Sequence, residues 1–545
     1  MQGIWFYIAA VGEAIGMVLA ARVLLHYFQL ESYQFRGYFQ TVLRQWRRSL
    51  LPGAALNAAF AVCLLCLSGS LNAAPALFPA IAAAVQIALG ALLHRQAAKT
   101  PQKKKFALTA RMKRLYCALA LVCLASVCLN GKGLGAADIL EKKNSAGGVL
   151  ALCLVYLRPS LFLPLLVALA GALALPVERL IFHLYFHDAE KKLLENPKLI
   201  RIGITGSYGK TSTKFILAEI LGQKYNVLAT PASFNTPMGV TRIIRERLTP
   251  SHQVFIGEMG ARHVGEIKEL SRLVHPQIGV LTAVGPQHLD TFKTIERIEK
   301  TKYELIDALP GDGLSVFLHD GEIVTRLYEK TEKPKMLAGK EGADAWAADV
   351  KLSPDGCRFT LHIRDWQPVK CETRLLGAHN IRNILSACCV AKYLGLNPEQ
   401  IQRGIRNLKP VEHRLQLLKT AGGVTVIDDA FNTNPRSSKE ALKVLSSFPG
   451  RRVIVTPGMV ELGDEEEKYN QEFGRAMADA VDVAVLVGKK HTEPIRRGLK
   501  EKGFSDQNIY SVSSLNEAIQ TVNGILRPGD VVMYENDLPD NYSEG

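Results

Sequence analysis

Residues 203–213 read Gly-Ile-Thr-Gly-Ser-Tyr-Gly-Lys-Thr-Ser-Thr, and these residue types at this spacing can hold a polyphosphate. Gly206 and Gly209 permit a turn whose successive N–H groups converge on phosphate oxygens, and a helix starting near Lys210 adds the positive end of its dipole. The Lys210 ammonium would reach the outer phosphates, and the Thr211 hydroxyl would hold Mg2+. The spacing is Gly-x-x-Gly-Lys-Thr, because Ile204 stands where the commoner phosphate loop has its first glycine. Inside a strand, loop and helix, this pattern points to a nucleotide-using enzyme.

Other residues gather around that loop. Glu258 closes one expected strand in Glu258-Met259-Gly260-Ala261, and His288 follows the next in Gly285-Pro286-Gln287-His288-Leu289. A carboxylate and an imidazole at adjacent strand ends can share a divalent-ion site facing the phosphates, although either alone reads equally well as a surface Glu or a satisfied loop His. Asn380 and Asn383 are three apart, so they share a helix face and can meet one base edge; helix capping is the alternative. Lys300-Thr301-Lys302-Tyr303-Glu304 reads locally as a charged helix face.

Taken together, residues 199–535 resemble the Mur ligase family, and within it the branch that adds D-alanyl-D-alanine. Thr205-Gly206-Ser207-Tyr208-Gly209-Lys210-Thr211-Ser212 is similar to the family's ATP loop, which implies that Gly206, Ser207, Gly209, Lys210, Thr211 and Ser212 contact ATP. Phe234-Asn235-Thr236 with Gly239-Val240 resembles another family segment, although Thr236 replaces a second Asn. Gly377-Ala378-His379-Asn380-Ile381-Arg382-Asn383 resembles the segment that meets adenine. Glu412-His413-Arg414-Leu415 places Arg414 where the family has an arginine beside the transferring phosphoryl group, a role its planar donors suit. Asp428-Asp429-Ala430-Phe431-Asn432-Thr433-Asn434-Pro435 and Gly458-Met459-Val460-Glu461-Leu462-Gly463 complete the match. The resemblance implies that Asp429 contacts the nucleotide and that Asn432 and Asn434 orient the reacting groups. It also implies Mg2+ at Thr211, Glu258, His288 and Lys302, the last carbamylated by CO2, with Lys300 as the alternative register.

The implied reaction is ATP-dependent amide formation through an acyl phosphate, with Lys210, Lys302, His288 and Arg414 as catalytic groups. The implied partners are ATP, a cell-wall precursor and an amino acid or dipeptide. Two departures stand out. An apolar region occupies the place of the domain that holds the UDP-sugar in these ligases, and Tyr534-Glu535-Asn536-Asp537-Leu538-Pro539-Asp540 replaces a Lys-Gly-Ser segment. A lipid-linked acceptor at the inner leaflet is therefore an alternative, as is a non-catalytic ATP-binding scaffold that recruits cell-wall enzymes. An ATP-driven transporter fits less well, since a second nucleotide motif set is missing.

The elements that must position these residues follow from a change of composition near residue 180. Apolar stretches at 4–25, 51–70, 74–94, 114–129 and within 147–178 are each near the roughly 20 residues that cross a bilayer. They predict an N-terminal α-helical transmembrane domain of about five helices over 1–178, then an amphipathic linker helix over 179–198. Basic loops carrying Arg44, Arg47 and Arg48, and Arg95, Lys103, Lys104 and Lys105, face the cytoplasm under the positive-inside rule. The expectation is a multi-pass bacterial inner-membrane protein, in contact with the lipid bilayer, with its catalytic domains cytoplasmic. From Leu199 onward, short apolar runs alternate with helical patterns, which predicts α/β structure: a P-loop-type central ATPase domain over 199–410 and a C-terminal Rossmann-like ligase domain over 411–545. A small β insertion is expected around 330–363. The formal net charge of +15 sits largely beside the apolar stretches, so nucleic acid is not needed to explain it. The ten cysteines lack a paired metal-site spacing and read as free thiols.

Overall fold

The computed structural model describes residues 2–67, 77–99, 105–133, 158–419, 422–431 and 433–537. Asn432, residues 68–70 and 74–76 of the second and third expected stretches, Lys103, Lys104, residues 147–157 of the last expected span, and Leu538-Pro539-Asp540 lie outside them. The chain forms two compact units that divide at Phe182 and His183.

The first unit is helical. Gly12 and Gly16, one turn apart on the helix Gln2–Ala20, let the helix Leu77–Lys99 approach its backbone. A Cβ on Gly12 would meet Ala83 at 2.3 Å, and one on Gly16 would meet the Gln86 carbonyl at 2.6 Å. Glu13, the charge that interrupts the first apolar stretch, is buried and paired with Arg158. Among the described residues, three helices are long and apolar enough to cross a membrane: Pro79–Lys99, Ala110–Leu129 and Pro159–Leu194. Tyr7–Ala20 and Arg22–Leu30, bent by 43°, make a fourth if they count as one. Of the five expected stretches, the first is broken at Ala21, and parts of the second, third and fifth lie outside the described residues. The expected separate linker helix is absent: Leu163–Leu194 runs unbroken with Pro176 inside it. The leucine- and alanine-rich turns before Pro176 and the long run of helical turns after it sustain the helix across the one hydrogen bond a proline removes.

The second unit holds two sheets. The central sheet comprises β1 (Ile200–Thr205), β2 (Val227–Ala229), β3 (Val254–Glu258), β4 (Ile278–Leu281), β5 (Leu314–Leu318), β6 (Lys335–Ala338), β7 (Ala345–Ser353), β8 (Gly356–Ile363) and β9 (Val369–Thr373). Their order is β2-β3-β1-β4-β5-β6-β7-β8-β9. All pairs from β2 to β7 are parallel, while β7, β8 and β9 pair antiparallel. Short apolar strands such as β3, β4 and β5 are buried at every position, as helices on both faces require. The expected β insertion is realised as β6 to β9, which extend this sheet rather than standing apart from it.

The second sheet comprises β10 (Gln416–Lys419), β11 (Thr425–Asp429), β12 (Arg452–Thr456), β13 (Val483–Val487), β14 (Ile509–Val512) and β15 (Val531–Glu535), in the order β10-β11-β15-β12-β13-β14. Only the β10–β11 pair is antiparallel. In each sheet, the residues with chemical potential lie at or just beyond the C-terminal ends of the parallel strands. That is where loops leave an open α/β sheet free to hold a ligand.

Candidate active site

The loop from Gly206 to Gly209 joins β1 to the helix Lys210–Leu221 between the ends of β3 and β4. Gly206 has φ 151°, and a Cβ there would meet Thr282 Oγ1 at 2.1 Å. Gly209 has φ 79°, and its Cβ would stand 2.9 Å from Asn383 Oδ1. Both positions therefore require glycine. Ser207 pins the loop: its Oγ donates to the Gly285 carbonyl at 2.9 Å and accepts from the Gly285 N–H at 3.0 Å. Lys210 Nζ donates to the Gly206 and Ser207 carbonyls at 2.6 and 3.2 Å, so the ammonium lies within the cradle. Burial pulls its pKa down to about 8, opposed by Glu258 and assisted by Arg414. Thr211 and Ser212 follow in the first helical turn.

Glu258, at the end of β3, is fully buried and densely partnered. Its Oε1 lies 3.1 Å from both Thr211 Oγ1 and Asn235 Nδ2, and its Oε2 lies 2.9 Å from Lys214 Nζ. Burial alone would raise its pKa, but Lys214, Lys210 and these hydrogen bonds outweigh it and hold the carboxylate below its ordinary value. Lys214 is itself fully buried and was not among the residues singled out from sequence. Its place one turn after Lys210 on the same helix face is the signal that could have found it.

Lys302 lies on the helix Ile295–Asp307, is 1% exposed, and its Nζ has no hydrogen-bond partner among the described residues. Desolvation, followed by the charge of Lys210, holds this amine well below the ordinary lysine pKa. His288 Nδ1 lies 2.6 Å from Glu461 Oε2, across the boundary between the sheets. Burial lowers the pKa of His288 despite that carboxylate. Arg414 stacks over the Phe431 ring with Cζ 4.3 Å from the centroid, and the charges of Asp429 and Glu258 act on it against the effect of burial. Asp429 Oδ1 accepts from the Leu415 N–H at 3.1 Å. Burial drives the Asp429 pKa up to about 7, with Arg414 opposing and Glu535, its register partner on β15, assisting.

The remaining candidates divide by role. Asn383 meets the phosphate loop through Gly209, and its Nδ2 donates to Asn380 Oδ1 at 3.4 Å. Asn380 turns inward, donating to the Leu376 carbonyl at 2.9 Å. Asn434 Oδ1 caps the helix Pro435–Ser446, accepting from the N–H groups of Arg436 and Ser437. Beside them, Asp320 is buried between Arg382 and Arg436, joining the central sheet's side to the C-terminal one. Sequence pattern gave no sign of that trio, because its members are far apart in the chain.

These residues fit a divalent cation at one place. Two ligands at right angles on Mg2+ at about 2.05 Å would be roughly 2.9 Å apart, and Thr211 Oγ1 and Glu258 Oε1 are 3.1 Å apart. Among the described residues, no three His, Cys, Asp or Glu side chains cluster as a metal site. The structure therefore brings Thr211 and Glu258 together directly, while His288 is engaged by Glu461 and Lys302 lies buried as an unpaired amine.

The Mur ligase middle domain matches residues 204–391, and the Mur ligase glutamate ligase domain matches 413–534. The chain is 30% identical over 338 residues to the UDP-N-acetylmuramoyl-tripeptide--D-alanyl-D-alanine ligase of Bacillus subtilis, covering 61% of this chain and 72% of the relative. It is 35% identical over 357 residues to the enzyme of that name from Mycobacterium bovis, covering 61% and 69%. Among solved structures, MurF from Acinetobacter baumannii superposes with TM-score 0.60 and 26% identity over 66% of this chain and 78% of that one. MurF from Thermotoga maritima in complex with ADP gives 0.59 and 25% over 65% and 80%.

These findings correct the expected location. The relatives are named for an acceptor carried on UDP, not on a lipid. Among the described residues, three helices, or four with the bent pair, are still long and apolar enough to cross a membrane, so the correction comes from the relatives alone. That location does not stand. The comparisons likewise give no support to the bilayer or to membrane-held cell-wall proteins as partners.

Proposed function

The chain belongs to the Mur ligase family, and from that premise we propose that it joins D-alanyl-D-alanine to the tripeptide carboxylate of a UDP-N-acetylmuramoyl precursor. It is an ATP-dependent peptide ligase whose cofactors are ATP and Mg2+. The observation that carries the reading is the phosphate loop, with Lys210, the Thr211–Glu258 oxygen pair and Arg414 all within electrostatic reach of one another. The names of the relatives supply the acceptor and the amine. A lipid-linked acceptor and a scaffold role have no comparable support.

The physical difficulty is to bring a carboxylate against a polyphosphate. The loop N–H groups and the helix N-terminus hold the phosphates, and Lys210 and Arg414 offset the charge that accumulates as the acceptor carboxylate attacks the γ-phosphorus. Mg2+, when bound, neutralises phosphate charge and aligns the leaving oxygen; Thr211 and Glu258 would hold it, joined by His288. Lys302 suits carbamylation, in which a neutral amine adds CO2 and loses a proton, since its buried amine is held well below the ordinary lysine pKa. Asn383, beside Gly209 of the phosphate loop, would meet the nucleotide, and Asp429 beside Arg414 would set that arginine's orientation. ADP leaves, the amine of D-alanyl-D-alanine attacks the acyl phosphate carbonyl, and phosphate departs.

The test is isotopic. With the acceptor carboxylate labelled by 18O, one labelled oxygen must appear in the released phosphate. Label retained wholly in the peptide would overturn the acyl-phosphate route.

A further inference from the structure

One chain of side chains joins the two sheets of the second unit, and only its His288 end enters the steps above. Glu461 lies in the loop after β12, is 8% exposed, and reaches out of its own sheet on both carboxylate oxygens. Oε2 meets His288 Nδ1 at 2.6 Å, and Oε1 accepts from Arg262 Nη2 at 2.9 Å. The Glu461 carbonyl also accepts from the Asp290 N–H at 3.4 Å. His288 and Glu461 both have left-handed backbones, with φ 51° and 66°. Non-glycine residues hold that conformation at a cost in strain, and only where their surroundings fix it. Here each is fixed by the other's domain.

The chemistry of the contact is directional. A carboxylate only accepts, so Nδ1 of a neutral imidazole facing it must carry the proton, and Nε2 keeps its lone pair. A partner of this kind orients metal-binding histidines generally, by setting the tautomer that ligates. The C-terminal sheet supplies this partner, whereas His288 itself follows β4 of the central sheet.

We propose that Glu461 is a positioning residue for the ligase reaction: docking of the C-terminal domain brings its carboxylate onto His288 and sets the tautomer that can ligate the divalent cation. Metal loading and domain docking then become one event, and Arg262 holds the carboxylate in place. This rests on the reading of His288 as a metal ligand.

The test uses the full chain with Mn2+ as probe, its binding followed by electron paramagnetic resonance in the presence of a non-hydrolysable ATP analogue, alongside the ratio of ADP to amide formed. Glu461→Gln keeps the shape, but its amide can serve either tautomer. It is expected to weaken Mn2+ binding about tenfold, to raise the ADP-to-amide ratio above that of the wild type, and to leave nucleotide affinity unchanged. Glu461→Asp, which keeps the carboxylate, should recover part of the loss. His288→Ala should show the same Mn2+ defect, with no further loss in the double variant. Wild-type Mn2+ affinity and ratio in folded Glu461→Gln would overturn the proposal. If His288→Ala itself leaves Mn2+ binding intact, the underlying ligand assignment falls instead.

Discussion

Lys302 and Glu535 are buried ionisable side chains whose surroundings set what each can do. The Lys302 amine has no hydrogen-bond partner among the described residues and lies over the Phe292 ring, 5.9 Å from its centroid. Lys302→Ala should lower kcat by roughly 10² or more, as loss of a charge-stabilising group does, and a small carboxylic acid such as acetate should restore part of it. No restoration and no loss in the steady-state rate would count against the carbamate. Glu535 Oε2 accepts from Thr456 Oγ1 at 2.6 Å, and burial drives its pKa from 4.5 to about 7. Asp429 in register with it moves the same way, to about 7. An acid whose folded pKa lies above its unfolded one binds its proton more tightly when folded, so stability falls as pH rises from about 4.5 and has fallen fully above about 7. Glu535→Gln removes one such group. Its Tm should drop less between pH 5 and pH 8 than that of the wild type. Gly206→Ala, with its Cβ against Thr282, should cost about 1–3 kcal/mol and abolish nucleotide binding, read by calorimetry.

At the scale of elements, the strands and the phosphate loop were legible because local signals specify them. Val254–Ile256, Ile278–Leu281, Val453–Val455 and Val483–Val487 are short β-branched runs, and all lie within strands of the two sheets. The Gly206–Thr211 turn announces its own backbone. What was not legible depends on contacts between distant segments. Asp320 with Arg436 and Glu461 with His288 leave no periodicity or spacing to read. The continuity of Leu163–Leu194 through Pro176 ran against a local rule, because one lost hydrogen bond is small beside nine turns of helix. Asn434 shows a motif residue with a structural use. Its capping box on the helix Pro435–Ser446 makes Asn434→Ala cost about 1 kcal/mol in urea unfolding, while Asn434→Asp should hold the cap. Equal stability of both variants would remove the capping account.

For the whole molecule, a helical unit precedes two α/β sheets that carry the ligase chemistry between them. The part that matches the relatives begins near the first strand of the central sheet. The composition change near residue 180 made that boundary visible, but apolar composition also suggested a membrane location that the relatives do not bear out. The most direct measurement is product mass with the full chain, ATP, Mg2+, D-alanyl-D-alanine and UDP-N-acetylmuramoyl-tripeptide, with ADP quantified in parallel. The account expects an acceptor heavier by one dipeptide less one water, one ADP for each product, and neither when any component is omitted or when Lys210 is replaced by alanine. ADP released at full rate without a ligated product would contradict it.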